Sequence, residues 1–241
     1  MTATQKIKGT LASVSDGEVF DYGRFAVGEG QESALTKALS RLAKSGEIVR
    51  LEKGKYYKPR QTKFGAVRPP ESQVVKALSM KNNRPVGYIT GTALYNSLGL
   101  TTQVSNVLEI ARNTRLPEKD LLGYKVRFVV KPFTFKEQDI PLLQLLDALR
   151  DIKKIPDTSA EKVIPVLLDR MKKLTEEELK RMAKLALEYN PATRALLGSL
   201  LEQLFPSVPV TSLRKSLNPL SKYKLNIPET VLPNRSNWNI E

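Results

Sequence analysis

Apolar residues recur at helical spacing over residues 32–45. Ala34, Leu35, Ala38, Leu39, Leu42 and Ala43 form one stripe, and Ser33, Thr36, Lys37, Ser40, Arg41 and Lys44 fall on the other side. Gly46 supplies a helix stop. Two β-prone runs follow, Ile48 to Leu51 and Lys55 to Pro59, around the turn Glu52-Lys53-Gly54, which predicts a hairpin. Upstream, Thr4 to Leu11 predicts a short helix, covered by Val19-Phe20 and by the apolar residues of Tyr22 to Val27. The segment therefore reads as helix, short strand or turn, helix, helix, hairpin.

Beyond the hairpin, Pro59 to Pro69-Pro70 is polar and carries Lys58, Arg60, Lys63 and Arg68, which suggests a domain boundary. Residues 63–138 look α+β. A helix over Pro70 to Met80 has Val74, Val75, Ala77 and Leu78 as its apolar face, and a second over Thr92 to Leu98 is closed by Gly99. Gly87 to Gly91 reads as a tight turn between strand and helix in preference to a ligand-contacting loop. Strands are predicted over Asn106 to Arg112 and Tyr124 to Val130. From Leu142 the period is helical: Leu142 to Ile152, Ala160 to Leu174, Glu176 to Tyr189 and Pro191 to Phe205. Thr175 with Glu178 forms a capping box, Asn190-Pro191 ends one helix and starts the next, and Pro165 marks either a kink or a later start. Residues 206–241 hold five of the 15 prolines, yet Val208, Leu213, Leu217, Leu220, Leu225, Ile227, Leu232 and Trp238 are too apolar for a free linker. An extended tail docked on the body is expected, with Trp238 buried more readily than stacked on a base.

The expected organisation is therefore α+β: residues 1–62 as one domain, then 63–241, with an α+β part (63–138), a helical part (139–205) and an extended docked tail (206–241).

Composition narrows the chemistry. The 241 residues include no His and no Cys, which removes disulfides, thiol nucleophiles, an imidazole base and thiolate or histidine metal centres. Carboxylate, Lys, Tyr or Ser chemistry remains, with Mg²⁺ on carboxylates as the available metal arrangement. No run approaches the ~18 apolar residues of a membrane span, so a cytoplasmic, unexported protein is expected. The charge is +14, with 39 Lys+Arg against 25 Asp+Glu. Nucleic acid, an acidic membrane surface and an acidic protein all fit such a surplus. By segment the surplus is +4 over 1–62, +7 over 63–138 and +3 over 139–241.

A helix with a small polar and basic outer face, followed at once by a hairpin with a basic tip, is the pattern of a winged helix-turn-helix. A helix entering a major groove about 12 Å wide needs short hydrogen-bonding residues beside Lys or Arg. Ser33, Thr36, Lys37, Ser40 and Arg41 meet that need. On the hairpin, Lys53 and Lys55 would contact phosphate and Tyr56 would pack against sugar. The plainer reading is a solvated helix face beside a structural hairpin.

Residues 32–58, above all Ala38-Leu39-Ser40-Arg41-Leu42, Gly46-Glu47-Ile48-Val49-Arg50-Leu51 and Lys53-Gly54-Lys55-Tyr56-Tyr57, resemble the N-terminal winged helix of AbiEi-type antitoxins. The similarity continues through Gly91-Thr92-Ala93-Leu94 with Leu98-Gly99-Leu100, and through Asn190-Pro191-Ala192-Thr193-Arg194-Ala195-Leu196-Leu197-Gly198. The resemblance implies a cytoplasmic autorepressor that binds inverted repeats in double-stranded promoter DNA. It also implies action against a cognate nucleotidyltransferase-like toxin, directly or functionally, with no cofactor and no membrane partner. The family's DNA contacts map to Thr36, Lys37, Ser40, Arg41, Lys44, Lys53 and Lys55. For the toxin-directed part, Arg112, Arg115, Lys125, Arg127 and Lys131 are candidates, against a solvated sheet face as the simpler account of each.

Catalysis finds little support in the residues. Gly198-Ser199 matches a nucleotidyltransferase start, but the carboxylates such enzymes need for Mg²⁺ are missing between Phe205 and Asn226, and a small-residue packing point in a helix is the better reading. Gly28-Glu29-Gly30-Gln31 lacks the Lys-Ser/Thr ending of a phosphate loop. Glu176-Glu177-Glu178 reads as first-turn helix charge, and Asp147, Asp151 and Asp157 near Lys153 and Lys154 as surface charge. The alternative function is a protein-interaction module that neutralises an acidic partner by direct binding, without sequence-specific DNA recognition. RNA binding is weaker, because the aromatics form no spaced stacking array.

Overall fold

The structure is a computed structural model that describes residues 3–25, 30, 32–81 and 84–241. The class is α+β, with helices and small antiparallel sheets. The chain forms two compact units, residues 1–88 with 116–128, and residues 89–115 with 129–241. The expected division at residue 62 thus differs from the compact units, for a local reason. The segment after Tyr57 stays bound to the first unit: Gly17 donates to the Lys58 carbonyl at 2.6 Å, and the Gln73 side chain accepts from the Val19 N–H at 3.2 Å.

The first unit begins with α1 (Ala3–Ala12), β1 (Val19–Asp21) and α2 (Glu32–Lys44), then the hairpin β2 (Val49–Glu52) and β3 (Lys55–Tyr57). These strands make an antiparallel sheet in the order β1-β3-β2. Between β1 and α2, where the sequence suggests a further helix, Asp21 caps a single 3-10 turn at Tyr22–Arg24. Part of the expected Tyr22 to Val27 stretch and most of Gly28-Glu29-Gly30-Gln31 lie outside the described residues. The core joins Ile7, Leu11 and Val14 to Phe20, Phe25, Leu35, Ala38, Leu39, Leu42, Ile48 and Tyr56. Ala34, expected on the buried stripe, is exposed at the stripe's edge in the first turn of α2. Gly46 does end α2: with φ +78 it donates to the Ala43 carbonyl while Glu47 reaches back to Leu42 at 3.1 Å, a Schellman closure.

The polar stretch expected as a boundary instead contains a second hairpin, β4 (Arg60–Thr62) and β5 (Gly65–Val67), followed by α3 (Glu71–Ser79) and the short pair β6 (Met80–Lys81) and β7 (Arg84–Pro85). Next come β8 (Gly87–Thr90), α4 (Gly91–Ser97), β9 (Val107–Arg112), β10 (Lys119–Leu121) and β11 (Tyr124–Val130). The expected turn at Gly87 to Gly91 is thus strand β8 running directly into α4, with Gly91 at φ +68. Strand β10 pairs with β11 across Leu122-Gly123, both at positive φ, and so completes the first unit.

In the second unit β9 lies between the end of β8 and the last residues of β11, and α4 and α5 (Ile140–Arg150) pack together. The helices α6 (Ala160–Met171), α7 (Glu176–Ala186) and α8 (Pro191–Leu204) follow. Pro165 lies inside α6, which starts at Ala160. Thr175 and Glu178 cap α7 reciprocally, and Asn190 caps α8. The tail adds a short α9 (Thr211–Lys215) and returns to pair Tyr223 with Ile240, burying Val208, Leu213, Leu225, Ile227, Leu232 and Trp238. Leu220, counted with the tail's apolar residues, is 89% exposed instead.

Candidate nucleic-acid interface

Helix α2 turns Leu35, Ala38, Leu39 and Leu42 into the core, and this leaves Ser33, Thr36, Lys37, Ser40, Arg41 and Lys44 exposed on one side. The six therefore share a solvent-facing surface because the opposite stripe is committed to packing. Thr36 is partly engaged, since its hydroxyl donates to the Glu32 carbonyl at 2.9 Å. The remaining groups supply hydroxyls and cations of the kind that contact base edges and phosphates.

The hairpin separates its candidates. Lys53 is exposed at the turn, where Gly54 takes φ +81 beside the Tyr22 ring. Lys55 does not point outward: its ammonium donates to Glu52 Oε1 at 2.8 Å and to the Ala77 carbonyl at 2.5 Å. Lys119 holds the other Glu52 oxygen at 2.7 Å. Burial alone would raise the Glu52 carboxyl, but the hydrogen bonds from Lys119 and Lys55 outweigh it and hold the group below its usual value. Tyr56, expected against sugar, is 4% exposed and stacks on Phe20 at 6.3 Å. Tyr56 is drawn inward because it faces the core formed by Phe20, Leu35 and Leu39 from the central strand β3. Arg50, in β2 and paired across the ladder with Tyr56, is exposed and adds a cation that the sequence reading passed over.

A second exposed basic feature is the β4–β5 hairpin. Arg60, Gln61, Thr62, Lys63, Phe64, Gly65 and Ala66 are all exposed. Its signal in sequence was present but weak: two three-residue strands flank Lys63-Phe64, without the Asn-Gly or Asp-Gly pair that marks a tight turn.

The five candidates of the middle segment do not behave alike. Lys125 and Arg127 belong to the first unit and are exposed, Arg127 being paired with Glu118 at 2.8 Å. Arg112, Arg115 and Lys131 belong to the second. Lys131 is 4% exposed, so it is not a surface group: its ammonium pairs with Asp147 and lies over the Tyr189 ring at 4.6 Å. Burial holds the Lys131 ammonium below its usual value, against the opposing pull of Asp147. Asp147 and Asp151, read as surface charge, are 0% and 9% exposed. Asp147 accepts from Thr90 at 2.7 Å and from Tyr189 at 2.8 Å; Asp151 accepts from Tyr95 at 2.7 Å and from Arg150. The physical reason is visible in α5, where Asp147 follows Leu143 by four residues and so falls on the buried stripe.

In the first unit a cleft of about 590 Å³ is lined by groups including Glu18, Asp21, Arg24, Lys55 and Lys76, with Arg24 and Glu18 paired at 3.3 Å. Among the described residues no three His, Cys, Asp or Glu are grouped so as to hold a metal ion, and no helix is long and apolar enough to cross a membrane.

Against known proteins, residues 6–114 match DUF6088, a family of unknown function. No curated protein sequence matches the chain. Among solved structures, the crystal structure of the RV2827C protein from Mycobacterium tuberculosis is similar. The TM-score is 0.54 at 14% identity, over 92% of this chain and 85% of that one. That likeness concerns the fold.

Proposed function

We propose that the chain is a DNA-binding autorepressor and antitoxin of the AbiEi kind, acting in the cytoplasm without cofactor or catalysis. In this reading α1, β1, α2 and the β2–β3 hairpin are a winged helix-turn-helix, with the Tyr22–Arg24 turn in place of the usual first helix of the motif. Helix α2 enters the major groove of inverted repeats in its own promoter, and Lys53 at the hairpin tip meets the adjacent backbone. The observation that carries the reading is the exposure of Ser33, Thr36, Lys37, Ser40, Arg41 and Lys44 together on α2, directly before a hairpin whose turn presents Lys53. The sheet order β1-β3-β2 supports it, because it ties the hairpin to the strand that precedes α2 in the chain. Action against a nucleotidyltransferase-like toxin rests on the sequence resemblance, which also runs through α4 and α8.

A mobility-shift assay on DNA upstream of the reading frame tests this. Lys37→Ala with Arg41→Ala should abolish the specific complex while the protein stays folded; unchanged binding removes α2 as the reading element. For wild type, neutralising about five or six phosphates predicts a slope near −5 in log affinity against log salt. Failure to bind DNA at low salt, together with a stable complex with the toxin, would favour the alternative of a protein-interaction module.

A further inference from the structure

The β4–β5 hairpin is a two-stranded ribbon that stands on its own. Its ladder pairs Arg60 with Val67, Gln61 with Ala66 and Thr62 with Gly65, and only Val67 is even half-buried. An isolated two-stranded hairpin has little stability in water, and an aromatic at its tip adds a cost of exposed apolar area. Phe64 nevertheless sits at that tip and is 89% exposed. The tip is built: the Thr62 hydroxyl accepts from the Phe64 N–H at 3.2 Å and donates to the Gly65 carbonyl at 2.9 Å. Lys63 places its ammonium 5.1 Å from the centre of the Phe64 ring. At the base, Arg68 stacks on Tyr124 at 4.2 Å, and the Tyr124 hydroxyl donates to the Pro69 carbonyl at 3.0 Å. The ribbon is thus anchored at one end and presents an aromatic at the other.

Charge identifies the partner. From Lys53 to Pro70 there is no Asp or Glu, and although Lys55 and Lys58 are paired with Glu52 and Asp16, Lys53, Arg60, Lys63 and Arg68 are exposed. An exposed aromatic flanked by cations and free of carboxylates suits a polyanion with flat apolar faces between its charges, which describes stacked base pairs between phosphate rows. Reach also fits. Three extended residues, Arg60 to Thr62, carry the Lys63-Phe64 turn about 10 Å beyond Pro59, more than the ~7.5 Å depth of a minor groove. We infer that the β4–β5 hairpin is a second DNA-binding arm, which lies in the minor groove and inserts Phe64 at a base step, with Arg60 and Lys63 on the flanking phosphates. An apolar wedge of this kind partly unstacks the step and bends the duplex. The inference rests on the DNA-binding reading and adds to it a DNA deformation and a contact outside α2.

The full-length chain is titrated onto DNA upstream of its reading frame, with gel mobility of circularly permuted fragments reporting the bend. Phe64→Ala, a change at a side chain the fold does not need, should weaken binding about tenfold and abolish the bend while leaving the salt slope unchanged. Lys63→Ala should reduce the slope by about one. If wild type binds and Phe64→Ala binds and bends the DNA equally, the arm is overturned and the α2 reading stands. If wild type does not bind DNA, both fall. Loss of binding to phosphatidylserine vesicles in Phe64→Ala, with DNA binding intact, would make the hairpin a membrane contact and overturn the arm.

Discussion

Trp238 lies directly on Gly198 of α8: a methyl group on that glycine would stand 2.2 Å from two carbons of the indole. The indole N–H donates to Glu202 Oε2 at 2.8 Å, Arg214 covers the ring at 4.3 Å, and only 1% of the residue is exposed. The glycine is therefore the seat on which the tail docks. Gly198→Ala should displace the ring and destabilise the chain by about 1–3 kcal/mol, the cost of overpacking a filled site. Trp238 is the sole tryptophan, so its emission reports the event. A red-shifted spectrum and an earlier urea midpoint are expected; an unchanged spectrum and midpoint would show that the tail yields without loss.

Asp147 and Lys131 make a second prediction, in which the two partners are unequal. Asp147 also has Thr90, Tyr189 and Arg150, the last at 3.3 Å, so Lys131→Met leaves the carboxylate satisfied. Asp147→Ala removes the counter-charge and leaves a buried ammonium beside the Tyr189 ring and hydroxyl, the latter at 3.4 Å. The aspartate variant should lose about 3–5 kcal/mol, the methionine variant clearly less. Equal losses in chemical denaturation would mean that the pair acts as a simple contact.

These two sites also show what the sequence disclosed. Trp238 was expected to be buried and Gly198-Ser199 to be a packing point, because large aromatics and small helical residues have few other uses. The Thr175 and Asn190 caps and the Gly46 stop were equally readable, since each rests on chemistry local to the chain. Asp147 was not, although its position four residues after Leu143 placed it on the buried stripe. Its partners come from the end of β8, from the residue after β11 and from the loop before α8, and no local pattern announces them. Lys55 and Tyr56 failed for a related reason: a hairpin tip predicts exposure, but β3 is the central strand of its sheet and turns Tyr56 inward. The β4–β5 ribbon was hidden by its polarity, since a strand that buries nothing carries no period-two signal.

Acid sensitivity can be located at Asp139. The side chain is 1% exposed and accepts from Arg181 Nε at 2.9 Å, from Arg181 Nη2 at 2.8 Å and from the Lys136 N–H at 3.2 Å. The Arg181 hydrogen bonds hold its carboxyl below the usual value, against burial. Between the folded and unfolded values the unfolded chain binds more protons, so this contribution is complete above about pH 5 and is lost as pH falls through the folded value. Asp139→Asn should be less stable than wild type at pH 7, and the gap in urea midpoints should shrink by pH 3. A gap of equal size at both pH values would assign the loss to packing instead of charge.

Lys53 and Lys55 are two residues apart on the same hairpin, yet the structure gives them different work. Lys53 is exposed at the turn, whereas Lys55 is held by Glu52 and the Ala77 carbonyl. If the hairpin meets the DNA backbone, Lys53→Ala should weaken binding to all sequences alike and reduce the salt slope by about one. Lys55→Ala should leave that slope unchanged and instead lower the unfolding midpoint, because Glu52 loses one of its two ammonium partners. The two variants, measured on one DNA fragment over a salt series and by thermal unfolding, separate a phosphate contact from a structural ion pair. A reduced slope for Lys55→Ala with stability intact would show that its ammonium leaves Glu52 when DNA arrives.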